Sequence, residues 1–82
     1  MNMSDEELML AYKNGDYPAF QELYFRYEKK VYSYIHKRVS PQKCDDLFRK
    51  VFLKLHSKKH LYTNKFPFAP WLFTLVKHLL ID

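Results

Sequence analysis

A single glycine, Gly15, serves 82 residues, and this scarcity limits the fold more than any other feature. A β-sandwich or barrel of this size needs Gly- or Asn-rich turns every ~8–12 residues. The chain does not contain them. Nor can one glycine build the G-x-G loop of a Rossmann site or a P-loop. The remaining way to bury apolar residues is helix on helix. Apolar content is adequate, since 48% of the residues are hydrophobic. A chain this short normally buries only ~60% of its extended surface. Seven Phe, seven Tyr and one Trp offset that with large rings.

Charge is unevenly placed. Residues 1–28 set Lys13 and Arg26 against six acids, a balance of −4. Residues 29–82 set twelve Lys/Arg against three acids, a balance of +9. A basic, aromatic-rich C-terminal two-thirds suits a polyanionic partner. Cys44 is the only cysteine and cannot form an internal disulfide. The N-terminus has neither the basic nor the apolar region of a signal peptide. No apolar run approaches the ~18 residues that read as a membrane span. A reducing cytoplasm is therefore the expected setting, with no membrane partner.

Turn signals divide the chain into four helical segments. Ser4 and Glu7 form a capping box that opens the first. It runs through Leu8, Met9, Ala11 and Tyr12 and ends at Asn14-Gly15, a left-handed C-cap. Asp16 caps the second, which spans 17–39 and tolerates Pro18 in its first turn. Phe20, Leu23, Tyr24, Tyr27, Val31, Tyr34 and Ile35 make one stripe at the helical period. Ser40-Pro41 stops it. The third helix spans 42–58, with Cys44, Leu47, Phe48, Val51 and Leu55 inward. Asp46, Arg49, Lys50 and Leu53 share the outward side, where a leucine among charges signals a partner surface. Residues 59–67 read as a loop. The fourth helix begins near 68–70, with Leu72, Leu75, Val76 and Leu79 inward and Thr74, Lys77, His78 and Ile81 around the other side.

Catalytic chemistry finds no support. His56 and His60 are spaced for one helix face, but no third metal ligand accompanies them. Cys44 lies on the core stripe and reads as an inert thiol rather than a nucleophile. Asp5, Glu6 and Glu7 occupy a helix first turn, where they favour the macrodipole. No cofactor is implied. The segment from His60 to His78 is richer, mixing Lys65 and Lys77 with Tyr62, Phe66, Phe68, Trp71 and Phe73. Exposed aromatics beside cations are what unpaired bases stack on. Phe68 and Phe73 are expected in the core and Trp71 is expected to be mainly structural. Tyr62 and Phe66, flanked by polar loop residues, are expected to be exposed.

Three runs carry a family resemblance. They are DEELMLAYKNGDYPAFQELYFRYEKKVYSYIHKR, DDLFRKVFLKLH and FPFAPWLFTLVKHLLID. Together they resemble region 2, the promoter −10 domain, of extracytoplasmic-function sigma factors of the sigma-70 family. The resemblance implies an all-α fold, a compact bundle of about four helices over 1–82. It covers no −35-binding domain, so the chain reads as a region 2 piece or a truncated relative. It implies a domain that binds the RNA polymerase core, at the clamp of the largest subunit, and that recognises and melts the promoter −10 element. Asp46, Arg49, Lys50 and Leu53 take the clamp-facing positions. Tyr62, Asn64, Lys65 and Phe66 take the loop that captures a non-template base, and Thr74, Lys77 and His78 face the separated strand. An anti-sigma factor stands as a further candidate partner.

Two positions depart from the family pattern. Arg49 and Lys50 stand where the family carries Gln and an acid, and like charge against a basic clamp surface costs affinity. His78 replaces a common Asn, exchanging a fixed donor–acceptor pair for a group that changes with protonation. The first departure supports a second reading. In it the fold serves as an interaction module that binds an acidic protein through Arg49, Lys50 and Leu53.

Overall fold

A computed structural model describes residues 2–81. Four helices, α1 (Asp5–Lys13), α2 (Tyr17–His36), α3 (Pro41–Lys58) and α4 (Phe68–Ile81), pack around one core, and a 3-10 turn at Lys59–Leu61 follows α3. No helix among the described residues is long and apolar enough to cross a membrane.

Local chemistry accounts for the helix ends. The Ser4 hydroxyl accepts the Glu7 N–H and the Glu7 carboxylate accepts the Ser4 N–H, the reciprocal box expected from sequence. Gly15 at φ +101° supplies the left-handed turn that lets α2 fold back. The Asp16 carboxylate accepts the Ala19 N–H to cap α2. That helix ends at His36, three residues before the expected limit. Residues 37–39 form the closing turn, with the Arg38 and Val39 N–H groups both donating to the Ile35 carbonyl. Pro41 holds Ser40 in an extended conformation (φ −67°, ψ 152°) that stops the helix from running further. Proline then serves as the first residue of α3, where a missing N–H costs nothing.

Each helix contributes one stripe to the core. Leu23, Tyr27, Val31 and Ile35 of α2 share one buried core with Leu8, Met9 and Tyr12 of α1. Val51 and Leu55 of α3 and Leu72 and Val76 of α4 complete the interior, and Cys44 is fully buried as expected. Phe52 also lies in the core, though it falls beside the stripe read from sequence. Its ring meets Phe48, Tyr24 and Phe20 edge-on, so the aromatic layer between α2 and α3 widens the inward face of α3.

The first-turn acids of α1 do more than favour the helix dipole. Asp5 accepts hydrogen bonds from the Tyr27 hydroxyl and the Arg26 guanidinium, fastening α1 to α2. The Glu6 carboxylate accepts the Phe68 N–H at 2.7 Å, capping α4 from across the bundle. Burial, reinforced by Asp5, raises the pKa of the Tyr27 phenol well above its ordinary value.

Candidate functional site

Two surfaces gather the residues singled out in the sequence. The first is the loop after the 3-10 turn together with the adjoining side of α4. Tyr62 corrects the sequence reading: expected exposed, it is 0% exposed. Its ring packs edge-on against Phe68 and Trp71 at centroid distances of 6.2 and 5.1 Å. Its hydroxyl donates to the Phe66 carbonyl at 2.6 Å, and its own carbonyl accepts the Lys13 ammonium at 2.7 Å. A side chain so enclosed has no face left for a base. It instead closes residues 62–66 into a tight loop, aided by the Phe66 N–H to Thr63 carbonyl bond. Burial, then the Glu6 and Asp5 carboxylates, push the Tyr62 phenol pKa up.

That closure projects Asn64, Lys65 and Phe66 into solvent, with Phe66 53% exposed. Phe66 also borders a shallow apolar groove of about 340 Å³ shared with Pro67, Pro70, Trp71, Thr74 and His78. Trp71, expected to be mainly structural, is half-buried: it packs on Tyr62 and Phe68 yet also lines this groove. Phe68 is fully buried as expected, whereas Phe73 is half-buried against Tyr34. The Thr74 hydroxyl donates to the Pro70 carbonyl at 2.8 Å, which leaves its oxygen free to accept a bond from outside. Lys77 and His78 are exposed one turn further along. Phe66, Thr74 and His78 thus line one groove, with Lys77 beside it; Asn64 and Lys65 stand on the loop above.

The second surface is the outer side of α3. Asp46, Arg49, Lys50 and Leu53 are all exposed, as the spacing predicts. They do not act as one patch. Asp46 and Lys50 pair at 3.1 Å and look towards the C-terminal turns of α4, in a groove with Leu47, Leu79 and Leu80. Arg49 and Leu53 look the other way, into a groove of about 590 Å³ floored by Tyr12, Phe20, Tyr24, Phe48 and Phe52. Leu53 is 63% exposed, and three further apolar residues on this side, Tyr17, Phe25 and Tyr32, are exposed as well. The sequence did hold a signal for them. Tyr17, Phe25 and Tyr32 recur at spacings of eight and seven, a second aromatic stripe on α2 at the helical period.

His56 sits at the end of this groove, its Nδ1 2.6 Å from the Tyr12 hydroxyl. The Lys59 ammonium lies 4.7 Å from the Tyr12 ring centroid and 5.9 Å from that of Tyr17. Burial, with Tyr17 adding to it, pushes the Tyr12 pKa up to about 12. Asp45 accepts the Tyr32 hydroxyl, and its charge raises that phenol's pKa too.

A family model, Sigma-70 region 2, matches residues 23–82. The chain belongs to this family. In sigma factors this region binds the RNA polymerase core and recognises the −10 promoter element. The fold extends further than the family match. A solved structure of an engineered region 2 of sigmaE, in complex with GTAAAA, aligns with a TM-score of 0.88 over 99% of this chain and 87% of that one, at 24% identity. Hence α1 and the first turns of α2, which precede the matched residues, are part of the region 2 architecture. They supply Asp5, Glu6 and Lys13, which brace α2, α4 and the loop of this sigma-70 region 2 domain. No curated protein sequence matches the chain.

Proposed function

We propose that this region 2 domain captures the unpaired non-template strand of a −10 element on its loop and α4, and docks on the polymerase clamp through α3. The observation that carries the reading is Phe66: an exposed ring, on a loop pinned by a buried tyrosine, beside a groove with Thr74 and His78. A pinned loop presents its aromatic with little ordering entropy left to lose on binding. Stacking one base on such a ring contributes ~1–3 kcal/mol. Asn64, Thr74 and His78 offer the polar atoms that read base edges, and Lys65 and Lys77 meet phosphates. Opening duplex costs about 1.4 kcal/mol per step on average. The domain alone therefore favours a strand already unpaired. Such work belongs in the cytoplasm.

The test is fluorescence anisotropy on a labelled single strand carrying GTAAAA, titrated with salt. Each neutralised phosphate contributes roughly −0.7 to the slope of log K against log salt on a single strand. Lys77→Ala should flatten the slope by about one contact, whereas Phe66→Ala should weaken binding with the slope nearly unchanged. Equal loss of slope for both variants would leave only a charged surface and end the base-capture reading.

A second reading for α3 is favoured by Arg49, whose charge borders the aromatic groove. An acidic partner, an anti-sigma factor among the candidates, matches that rim better than a basic clamp.

A further inference from the structure

The loop that carries Asn64, Lys65 and Phe66 is tied down at both ends by α1, a helix that contributes no residue to the groove beside Phe66. At the loop's start the half-buried Lys13 ammonium donates to the Tyr62 carbonyl at 2.7 Å. At its end the half-buried Glu6 carboxylate accepts the Phe68 N–H at 2.7 Å. Glu6 and Lys13 are seven positions apart in the sequence. Two helical turns therefore place them on one face, ~10.5 Å apart along the axis. Every residue between the two ties, 63–67, is exposed.

α1 is a firm base for these ties. The Ser4–Glu7 box closes its first turn, and Asp5 fastens it to Arg26 and Tyr27 of α2. The bond from the Tyr62 hydroxyl to the Phe66 carbonyl shapes the loop internally. It does not fix where the loop stands against α4. Lys13 fixes the point where the chain leaves the 3-10 turn. Glu6 fixes the first N–H of α4, the helix that carries Trp71, Thr74 and His78. Without the two ties, residues 63–67 would have to be ordered at the moment of binding, which costs affinity. Attraction to a polyanion does not explain the pair. A carboxylate beside a phosphate strand is repelled. Lys13 has no ion-pair partner among the described residues, and its ammonium is directed at a carbonyl inside the domain.

We infer that Lys13 and Glu6 are positioning residues for single-strand capture, an inference that rests on the base-capture reading of the loop. Held by α1, they set where Phe66 stands against the groove on α4, and neither touches the strand. Both precede the residues that match the family model.

The experiment measures full-chain variants on a labelled GTAAAA strand by anisotropy at several salt concentrations, at a temperature where thermal melts show each variant folded. Lys13→Met should weaken binding about fivefold, the lower end of what one stacked base supplies, with the salt slope unchanged. Glu6→Ala should weaken binding too, although it removes an acid. Lys13→Arg and Glu6→Gln, which keep a donor and an acceptor, should bind like wild type. On a Phe66→Ala background Lys13→Met should cost nothing more, because residues that act through one another are not additive. Trp71, the only tryptophan, packs on Tyr62 and reports the loop directly. Its fluorescence should be quenched more readily by acrylamide in Lys13→Met and Glu6→Ala than in wild type. A slope reduced by ~0.7, with the loss persisting on the Phe66→Ala background, makes Lys13 a phosphate contact and overturns the inference. Tighter binding by Glu6→Ala, as charge alone predicts, overturns it as well. So do lower melting temperatures with unchanged affinity, the mark of a merely structural role. The base-capture reading fails separately, if Phe66→Ala binds like wild type. In that case the quenching decides the ties: raised quenching in Lys13→Met and Glu6→Ala supports them, and unchanged quenching overturns them.

Discussion

Replacing Tyr62 separates a structural role from a base-stacking role, because the two predict opposite results. Its ring is wholly enclosed by Phe68, Trp71 and the loop. A buried tyrosine removes ~150–250 Å² from water, and at ~25 cal/mol/Å² this amounts to about 4–6 kcal/mol as an upper estimate. Truncations of large buried aromatics cost ~3–5 kcal/mol, which agrees. Small domains have stabilities from about 5 kcal/mol upward. Tyr62→Ala should therefore lower the melting temperature by well over ~10 °C, at ~4–8 °C per kcal/mol for a domain of this size. Tyr62→Phe keeps the ring and removes only the bond to the Phe66 carbonyl. That exposed loop can rehydrate its carbonyl, so the cost is about 1 kcal/mol. Its sharper effect should be on the loop: with residues 62–66 no longer closed, single-strand affinity should fall although the fold survives. Melting is followed by far-ultraviolet circular dichroism and binding by anisotropy. A Tyr62→Ala protein that melts within a few degrees of wild type yet loses single-strand affinity would refute this reasoning, because only an exposed, stacking ring behaves so.

Three further outcomes are expected. Arg49→Gln with Lys50→Glu should tighten binding to the polymerase clamp in a pull-down, since it removes like charge; equal or weaker binding would show that these cations are no obstacle. Glu6→Ala should strip the cap from the Phe68 N–H and cost ~0.5–2 kcal/mol, read as a lower denaturation midpoint with an unchanged m-value. Tyr12 and Tyr27 hold their protons more tightly when folded than the ordinary value of 10.0. The unfolded chain thus loses protons first, and stability present below pH 10 should decline as pH rises towards 12. Tyr12→Phe should make that decline shallower in alkaline denaturation curves, and an identical curve would count against a buried, protonated Tyr12.

Much of this architecture was legible in order of residues alone. The capping box at Ser4 and Glu7, the left-handed turn at Gly15 and the apolar stripe of α2 each depend on neighbours within about four positions, and the family resemblance reinforced them. The exposure of Leu53, Thr74, Lys77 and His78 followed from the same periodicity. Tyr62 did not. A residue in a loop has no period, so its burial depends on what the rest of the chain brings to it. Lys13, which binds its carbonyl, lies 49 positions away, and Glu6, whose charge raises its pKa, caps a helix 62 positions further on. The first-turn acids of α1 carry the same lesson. Sequence places them correctly for a helix dipole, but only packing reveals that Asp5 meets Arg26 and Tyr27. The split of the α3 face into two grooves likewise needed α2 and α4 on either side. Helix formation is a local balance of hydrogen bonds and side-chain spacing, and the sequence determines it by itself. Which polar groups and which loop rings lose their water is settled only when distant helices close over them.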